Sequence, residues 1–377
     1  MTQTYSTTIR IYTDFNSQTL SKNWLLLEQT GVFSAFQRFQ FIRLMAQHVL
    51  ASHNAELRIG EIVDAEGNPL MILPMILRKT RFACSLEWFD LGLADYCLPL
   101  LSKNVADFPV HMTAQLGQML EKLGHVDFVH LTKMPAHFDG VENPLLKLPN
   151  VLPMGAATFP KYLPDEDAIT AFRKSGIHED YRKRLRKLNR EGHAPDWVVA
   201  KTAAEAETLF AALVALRKDR FAKLRREDNL QQQAIQDFYL DLAKAGCADG
   251  SVCLIGLRFN GEIVAVQYGL ISGGRCVVIM VGAETQRWRS ASPGLINFVR
   301  MADWTIEQGL TIFDLGVGDL AYKKRLLPEP CALYEMHYAI TAKGRVFVWI
   351  GRGKRFLRAT LAAHPRWNKR IRKMFGK

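Results

Sequence analysis

At 377 residues the chain exceeds one ordinary hydrophobic core, so two domains are the default expectation. Its 48% hydrophobic and 23% charged content is that of a globular protein in water, no apolar run is long enough for a membrane span, and MTQTYSTTIR lacks a signal-peptide core. The net charge of +12 is concentrated in two places, +6 over 173–190 and +10 over 351–377. What remains is a mildly acidic body, which excludes a uniformly basic nucleic-acid binder. Six cysteines without a Cys-x-x-Cys pair predict buried thiols in a reducing, cytoplasmic compartment. Ten histidines without ligand spacing predict no metal.

In chain order, residues 1–165 read as one α/β unit. Strands are expected at Thr8–Tyr12, Leu57–Val63, Leu70–Leu77, Trp88–Leu91 and Val126–Leu131. Helices are expected at Leu20–Gln29, Phe36–Leu50 and Val105–Leu123. Asp95 and Tyr96 stand at a strand end, either as a ligand site or as a turn built on an aspartate. Lys133–Pro164, rich in proline, reads as irregular.

Residues 166–192 form a basic helical connector in which Tyr181, Leu185 and Leu188 make a narrow apolar stripe. Arg182 and Arg186 on its flanks are candidate phosphate contacts, weighed against a plain solvated face. Residues 193–345 repeat the pattern of the first unit: strand Trp197–Ala200, helices Ala203–Lys223 and Gln232–Ala245, and a hairpin of Val252–Phe259 with Ile263–Ile271 about Asn260-Gly261. Gln267 on that hairpin is a candidate substrate contact. Leu333–Thr341 is expected to close this second sheet. In the tail, 346–377, Val346–Ile350 fits a strand or a helix. Beyond it, Trp367, Ile371 and Phe375 recur among cations. That pattern suits an amphipathic helix on an acidic membrane surface at 351–377, weighed against a disordered basic tail.

The densest signal lies between Cys276 and Lys323. The apolar run Cys276–Val281 reads as a buried strand, Ser292-Pro293-Gly294 as a helix start, and Thr311–Leu315 as a second strand. Ser292 is expected to cap, and amides of Ser292 to Leu295 to meet an anion at the positive helix end, with Gly294 allowing close approach and Arg287 and Arg289 adding charge. Asp314, Asp319, Tyr322 and Lys323 follow within ten residues. In a strand Asp314 faces away from Phe313 and Leu315 and could accept a proton, Tyr322 could return one to a thiolate, and Lys323 could hold an anionic substrate. The alternative is a polar turn with a buried phenol. Gly316-x-Gly318-x-x-Ala321 follows a strand, but Pro328 and Pro330 stop the helix that a dinucleotide site needs. Walker, Gly-x-Ser-x-Gly and His-Glu-x-x-His motifs are missing from the sequence.

The stretches SPGLINF, EQGLTIFDLGVGDLAYKKRL and RKRLRKLNREG, with PLMILPMILRK before LGLADYCLPLL, resemble the CelD/BcsL-type acyltransferases of the GNAT superfamily. Those proteins accompany bacterial cellulose and exopolysaccharide synthesis. The resemblance implies an α/β (α+β) fold of two tandem GNAT-like lobes, each a mixed, mainly antiparallel sheet flanked by helices. It implies acetyl-CoA or another acyl-CoA as donor and a sugar, amino sugar or envelope precursor as acceptor. Pantetheine would lie along Ile279–Ala283, with Val281, Gly282 and Ala283 as contacts, and the diphosphate at Ser292, Pro293, Gly294 and Leu295. The usual phosphate loop of the superfamily is replaced here by QRWRSASPG. Direct transfer would use Asp319 or Asp314 as base and Tyr322 as acid, in the cytoplasm or at the inner face of the membrane. The double fold is also similar to Fem-type ligases, which take an aminoacyl group from tRNA. A catalytically degenerate scaffold beside a membrane synthase is the third reading.

Overall fold

A computed structural model describes residues 7–103, 112–318 and 321–363. The chain opens with β1 (Thr8–Tyr12), α1 (Gln18–Thr30), α2 (Phe39–His48), β2 (Ala55–Val63), β3 (Pro69–Lys79), β4 (Cys84–Trp88), β5 (Leu100–Leu101), α3 (Met112–Lys122) and β6 (Phe128–Pro135). The small hairpin β7 (His137–Phe138) and β8 (Val141–Glu142) leads into the long β9 (Val151–Tyr162). Then come α4 (Glu166–Arg173), α5 (Gly176–Arg190), β10 (Pro195–Val199), α6 (Ala203–Leu224), α7 (Gln233–Asp249), β11 (Val252–Phe259), β12 (Glu262–Ser272) and β13 (Arg275–Ala283). The chain continues through α8 (Pro293–Glu307), β14 (Ile312–Val317), the short α9 (Ala321–Lys324), β15 (Cys331–Ala339) and α10 (Ala342–Ala363).

Local chemistry accounts for many of these elements. Ser17 caps α1 by accepting from the Leu20 amide at 3.2 Å. Thr202 and Glu205 form a capping box at the head of α6. Asn260 and Gly261, with φ of 52° and 82°, make the tight left-handed turn that joins β11 to β12.

Thirteen strands form one mixed sheet, in the order β1-β2-β3-β4-β6-β15-β9-β14-β13-β12-β11-β10, with β5 on β3. Within each half one pair is parallel, β4 with β6 and β13 with β14, and the other neighbours run antiparallel. The closing strands are exchanged. β9, from the first half, pairs with β14 of the second, while β15, from the second half, pairs with β6 of the first. β9 and β15 meet at the centre. The two halves also share a core, in which Phe41 of α2 meets Phe238 of α7 edge-on at 5.1 Å.

Four expectations change. Lys133–Pro164 is not irregular, for β9 fills much of it; Pro153 and Pro160 sit beside shifts in the ladders with β15 and β14, where a missing amide is tolerated. Leu333–Thr341 was expected to close the second sheet, but β15 closes the first. The strand placed at Trp88–Leu91 lies earlier, at β4, and Leu91 takes a positive φ of 43°. The basic connector is two helices, and its stripe is packed: Leu188 is buried, with Tyr181 and Leu185 against the same cluster. Val346–Ile350 is helical, inside α10. The tail residues Trp367, Ile371 and Phe375, and the first part of the helix expected from Val105, lie outside the described residues.

Candidate functional site at the parting of β13 and β14

β13 and β14 pair only from Arg275 to Val277 and from Ile312 to Asp314. β14 then turns aside through Gly316, at φ 65°, so the β14-facing edge of β13 beyond Val277 has no ladder partner among the described residues. Phe313 packs on Phe298 of α8 at 5.2 Å, which places the alternate residue, Asp314, on the opposite face. That face is covered by the first half of the chain.

Asp314 is 0% exposed and surrounded by donors. Arg275 Nη1 lies 2.8 Å from its Oδ2, the Tyr96 hydroxyl donates to the same oxygen, and the Gly316 amide donates to Oδ1 at 2.9 Å. Arg275 also reaches Asp139 Oδ1 at 3.4 Å and covers the Phe138 ring at 4.6 Å. Burial first, then the Asp314 charge, pushes the Tyr96 phenol well above its usual range. This satisfied, dry carboxylate is not placed to take a proton from a substrate. It fastens the two halves together.

Its neighbour in the cluster is different. Asp95 is partly exposed, and its Oδ2 accepts the Val317 amide at 3.1 Å, where the sheet opens. Burial raises its pKa and the Asp314 charge adds to that, against the Val317 hydrogen bond and the more distant Lys133 and Lys323. The loop carrying Asp95 is pinned by Lys133, whose Nζ holds Asp90 and the Ala94 carbonyl, each at 2.7 Å. Gln37 holds the Tyr96 carbonyl at 3.0 Å. Lys323 is 3% exposed; its Nζ donates to the Val317 carbonyl at 2.9 Å and lies 5.7 Å over the Phe159 ring. Asp95, Tyr96, Asp314 and Lys323 therefore converge from both halves. Arg275 and Asp139 complete the cluster. Neither is marked by a motif: Asp139 precedes Gly140 and Arg275 follows Gly273-Gly274, so each reads as an ordinary turn residue.

The expected anion seat differs from its description. Ser292 has φ 54°, the left-handed region, and its side chain does not cap; its amide turns back to the Trp288 carbonyl at 3.2 Å. The Leu295 amide is bonded to Ser292 O at 2.9 Å, and Pro293 has no amide to offer. Gly294 turns its bare side toward β13, where an added Cβ would stand 3.1 Å from Ala283, so its smallness serves helix-on-sheet packing. Gly282 likewise packs under α6, 2.9 Å from Leu213 by the same measure. The loop amides of Gln286 and Trp288 are taken by the Glu284 carboxylate at 2.5 and 2.7 Å, contacts that hold its pKa low against its partial burial. Arg287 pairs with Glu262 at 3.0 Å, while Arg289 is exposed. At these positions the Ser292 and Leu295 amides are engaged within the chain, and those of Gln286 and Trp288 by Glu284.

Gln267 is buried on β12 and donates to the Gly294 carbonyl at 3.2 Å, which ties the helix start to the sheet. Val281 and Leu295 are half-buried against the core cluster shared by α8 and β14. Arg182 and Arg186 are exposed, bonded to the carbonyls of Arg173 at 2.9 Å and Arg182 at 3.4 Å. Arg184 joins α5 to the loop through Ser290 O at 2.8 Å. Asp319 lies outside the described residues, as does the side chain of Tyr322, whose backbone is part of α9. A separate cavity of about 130 Å³, walled by Leu73, Met75, Leu86, Met119 and Met336 among others, is almost wholly aliphatic and lies away from this polar cluster.

Residues 175–324 match the family model described as an acetyltransferase (GNAT) domain. No curated protein sequence matches the chain. FemX is similar in structure, with a TM-score of 0.58 at 10% identity over 86% of this chain and 97% of its own. So is the C-terminal domain (DUF2156) of a putative lysylphosphatidylglycerol synthetase from Agrobacterium fabrum, at 0.54 and 13% over 89% and 96%. L-PGS from Bacillus licheniformis follows at 0.52 and 11% over 90% and 96%. At such identities the likeness is one of fold. The class is thus a GNAT-like mixed sheet flanked by helices. The stretch that matches the acetyltransferase model contains β13, β14 and Lys323.

Proposed function

We propose that the protein transfers an acyl group from an activated ester or thioester to an amine or hydroxyl of a saccharide or envelope precursor, in the opening between β13 and β14. One observation carries this reading: Asp95, with its raised pKa, stands where the two parallel strands part. In this reading Asp95 replaces Asp314 and Asp319 as the base. It takes the proton of the acceptor as nitrogen or oxygen attacks the acyl carbon. Amides along Val281–Ala283 steady the oxyanion, and the Lys323 ammonium adds positive charge nearby. The bond to the leaving group then breaks, and Tyr322 keeps its expected role of returning a proton to it. Asp314 and Arg275 position the loop that carries Asp95. Residues 1–165 and 193–345 act as the two lobes of one catalytic unit, joined by 166–192.

Two donors are in play. Acyl-CoA follows from the CelD/BcsL resemblance and from the family matched by 175–324. Aminoacyl-tRNA is favoured by a specific observation: the loop amides that would hold a diphosphate are occupied by Glu284, while the basic helix α5 touches the same loop through Arg184, which donates to Ser290 O at 2.8 Å. The test is a pair of assays on one preparation, thiol release from acetyl-CoA and loss of label from charged tRNA, each over a panel of amino sugars and lipid-linked precursors. Turnover in one assay that vanishes in Asp95→Asn assigns the donor. An Asp95→Asn protein as active as the parent sinks the mechanism.

We further propose contact with a membrane surface through α10, starting before the basic tail. Trp349 is 79% exposed beside Val346 and Ile350, with Lys343 and Arg345 flanking them on the helix. No helix among the described residues is long and apolar enough to cross a bilayer.

A further inference from the structure

The strand exchange brings His130 of the first half against Glu335 and His337, two residues apart on one strand of the second. His130 of β6 lies directly opposite His337 of β15, and their rings stack with centroids 4.3 Å apart and planes at 28°. Glu335, two residues before His337, projects from the same face, as alternation along a strand requires. Its Oε2 lies 3.3 Å from His337 Nε2. One donor atom from each of the three residues lies within 4.8 Å of the others. The glutamate and His337 are mostly buried, at 11% and 15% side-chain exposure, and Gly351 of α10 forms a roof 3.8 Å over the His337 ring by the reach of an added Cβ. A second acid, Glu87 of β4, pairs in register with His130 but is engaged by Arg78 at 2.9 Å and Ser85 at 2.7 Å.

We propose that His130, Glu335 and His337 bind a divalent transition-metal ion, zinc by preference. Two imidazoles and one carboxylate form a donor set suited to zinc and its neighbours in the first transition row, whereas calcium and magnesium favour all-oxygen shells. Zinc bonds of about 2.0–2.1 Å in a tetrahedron set neighbouring donors roughly 3.3 Å apart. The Glu335–His337 separation already has that value. The third donor must close by at most about 1.5 Å, within reach of a ring rotation. Water takes the fourth position. The ion would join β6 of the first half to β15 of the second, and so would clamp the exchanged strand beneath α10. Because its ligands are assembled only in the folded chain, binding would raise the thermal midpoint.

The test uses the full chain, freed of any affinity tag and stripped with EDTA, titrated with zinc by calorimetry and with cobalt(II) by absorption. The expected result is one equivalent bound, tetrahedral cobalt bands, and a thermal midpoint that rises with zinc. His130→Ala, His337→Ala and Glu335→Gln should each weaken binding at least tenfold and remove the thermal rise. His48→Ala, which removes a histidine paired with Asp241 elsewhere, should leave both in place. X-ray absorption on the zinc-loaded parent should show nitrogen and oxygen neighbours only, a measurement that does not depend on any variant folding. The proposal is overturned by the absence of stoichiometric binding, by full binding in His130→Ala and His337→Ala, or by sulfur neighbours at about 2.3 Å.

Discussion

The Tyr96 hydroxyl donates to the Asp314 carboxylate across 218 residues of sequence, and Arg275 holds the same oxygen at 2.8 Å. This contact ties a loop of the first half to a central strand of the second and brings Asp95 to the opening beside it. The cluster therefore has two kinds of carboxylate. One is fully paired and structural, and the other is partly open with a raised pKa.

Removing the structural one should be costly. Asp314→Ala leaves the Arg275 guanidinium buried without its main partner, which typically destabilises by about 3–5 kcal/mol. The double change Asp314→Leu with Arg275→Met removes both charges and is expected to recover most of that loss. Denaturant midpoints of the two variants and the parent check this.

Asp95 sets the pH response. Its carboxyl must be ionised to act as a base, so kcat/KM should rise with pH along a limb displaced above the ordinary value of about 3.9. The like charge on Asp314 contributes to that displacement, so Asp314→Asn should move the limb to lower pH in whatever fraction folds. The linkage has the opposite sign for stability. A carboxyl whose pKa is raised by folding favours the native state when protonated, and that contribution fades as pH climbs through the native pKa. Asp95→Asn should lose about 10²–10⁴ in rate, remove the limb and keep its thermal midpoint near the parent's.

Gly316 separates activity from stability in another way. It sits at φ 65°, and a methyl group there would run into the Asp95 carboxylate. Gly316→Ala should cost roughly 1 kcal/mol or more through the backbone alone. A base displaced by an ångström should lower kcat by on the order of 100-fold. Steady-state rates on a correctly folded variant, with near-ultraviolet dichroism as the fold check, make the comparison.

The outer face of α10 makes a surface prediction. Trp349→Asp should abolish co-sedimentation with vesicles containing anionic lipid. It should leave the thermal midpoint unchanged, because the side chain touches little of the core. Binding to neutral vesicles should be weak for the parent as well. Unaltered sedimentation of the variant would remove α10 as the contact.

Much of the local structure was legible in the sequence, for physical reasons that act within about ten residues. Alternating apolar residues specified Thr8–Tyr12, and Asn260-Gly261 fixed a hairpin that only left-handed backbone can close. The same local signals located β13, α8 and β14 and put Asp314 on the face away from Phe313. They also led to Asp95, Tyr96 and Lys323 as polar residues near strand or helix ends. Tertiary structure decided the rest. Prolines at 153 and 160 interrupted the pattern of β9, and nothing in a strand's own residues states which of two sheets it will join. That choice depends on the neighbours present after collapse, which is why β9 and β15 could change places unseen. Packing also decided that Glu284 meets the loop amides before α8, and that His130 faces His337 from a distant part of the chain. Short-range patterns fix which way a side chain points; only packing fixes what it points at.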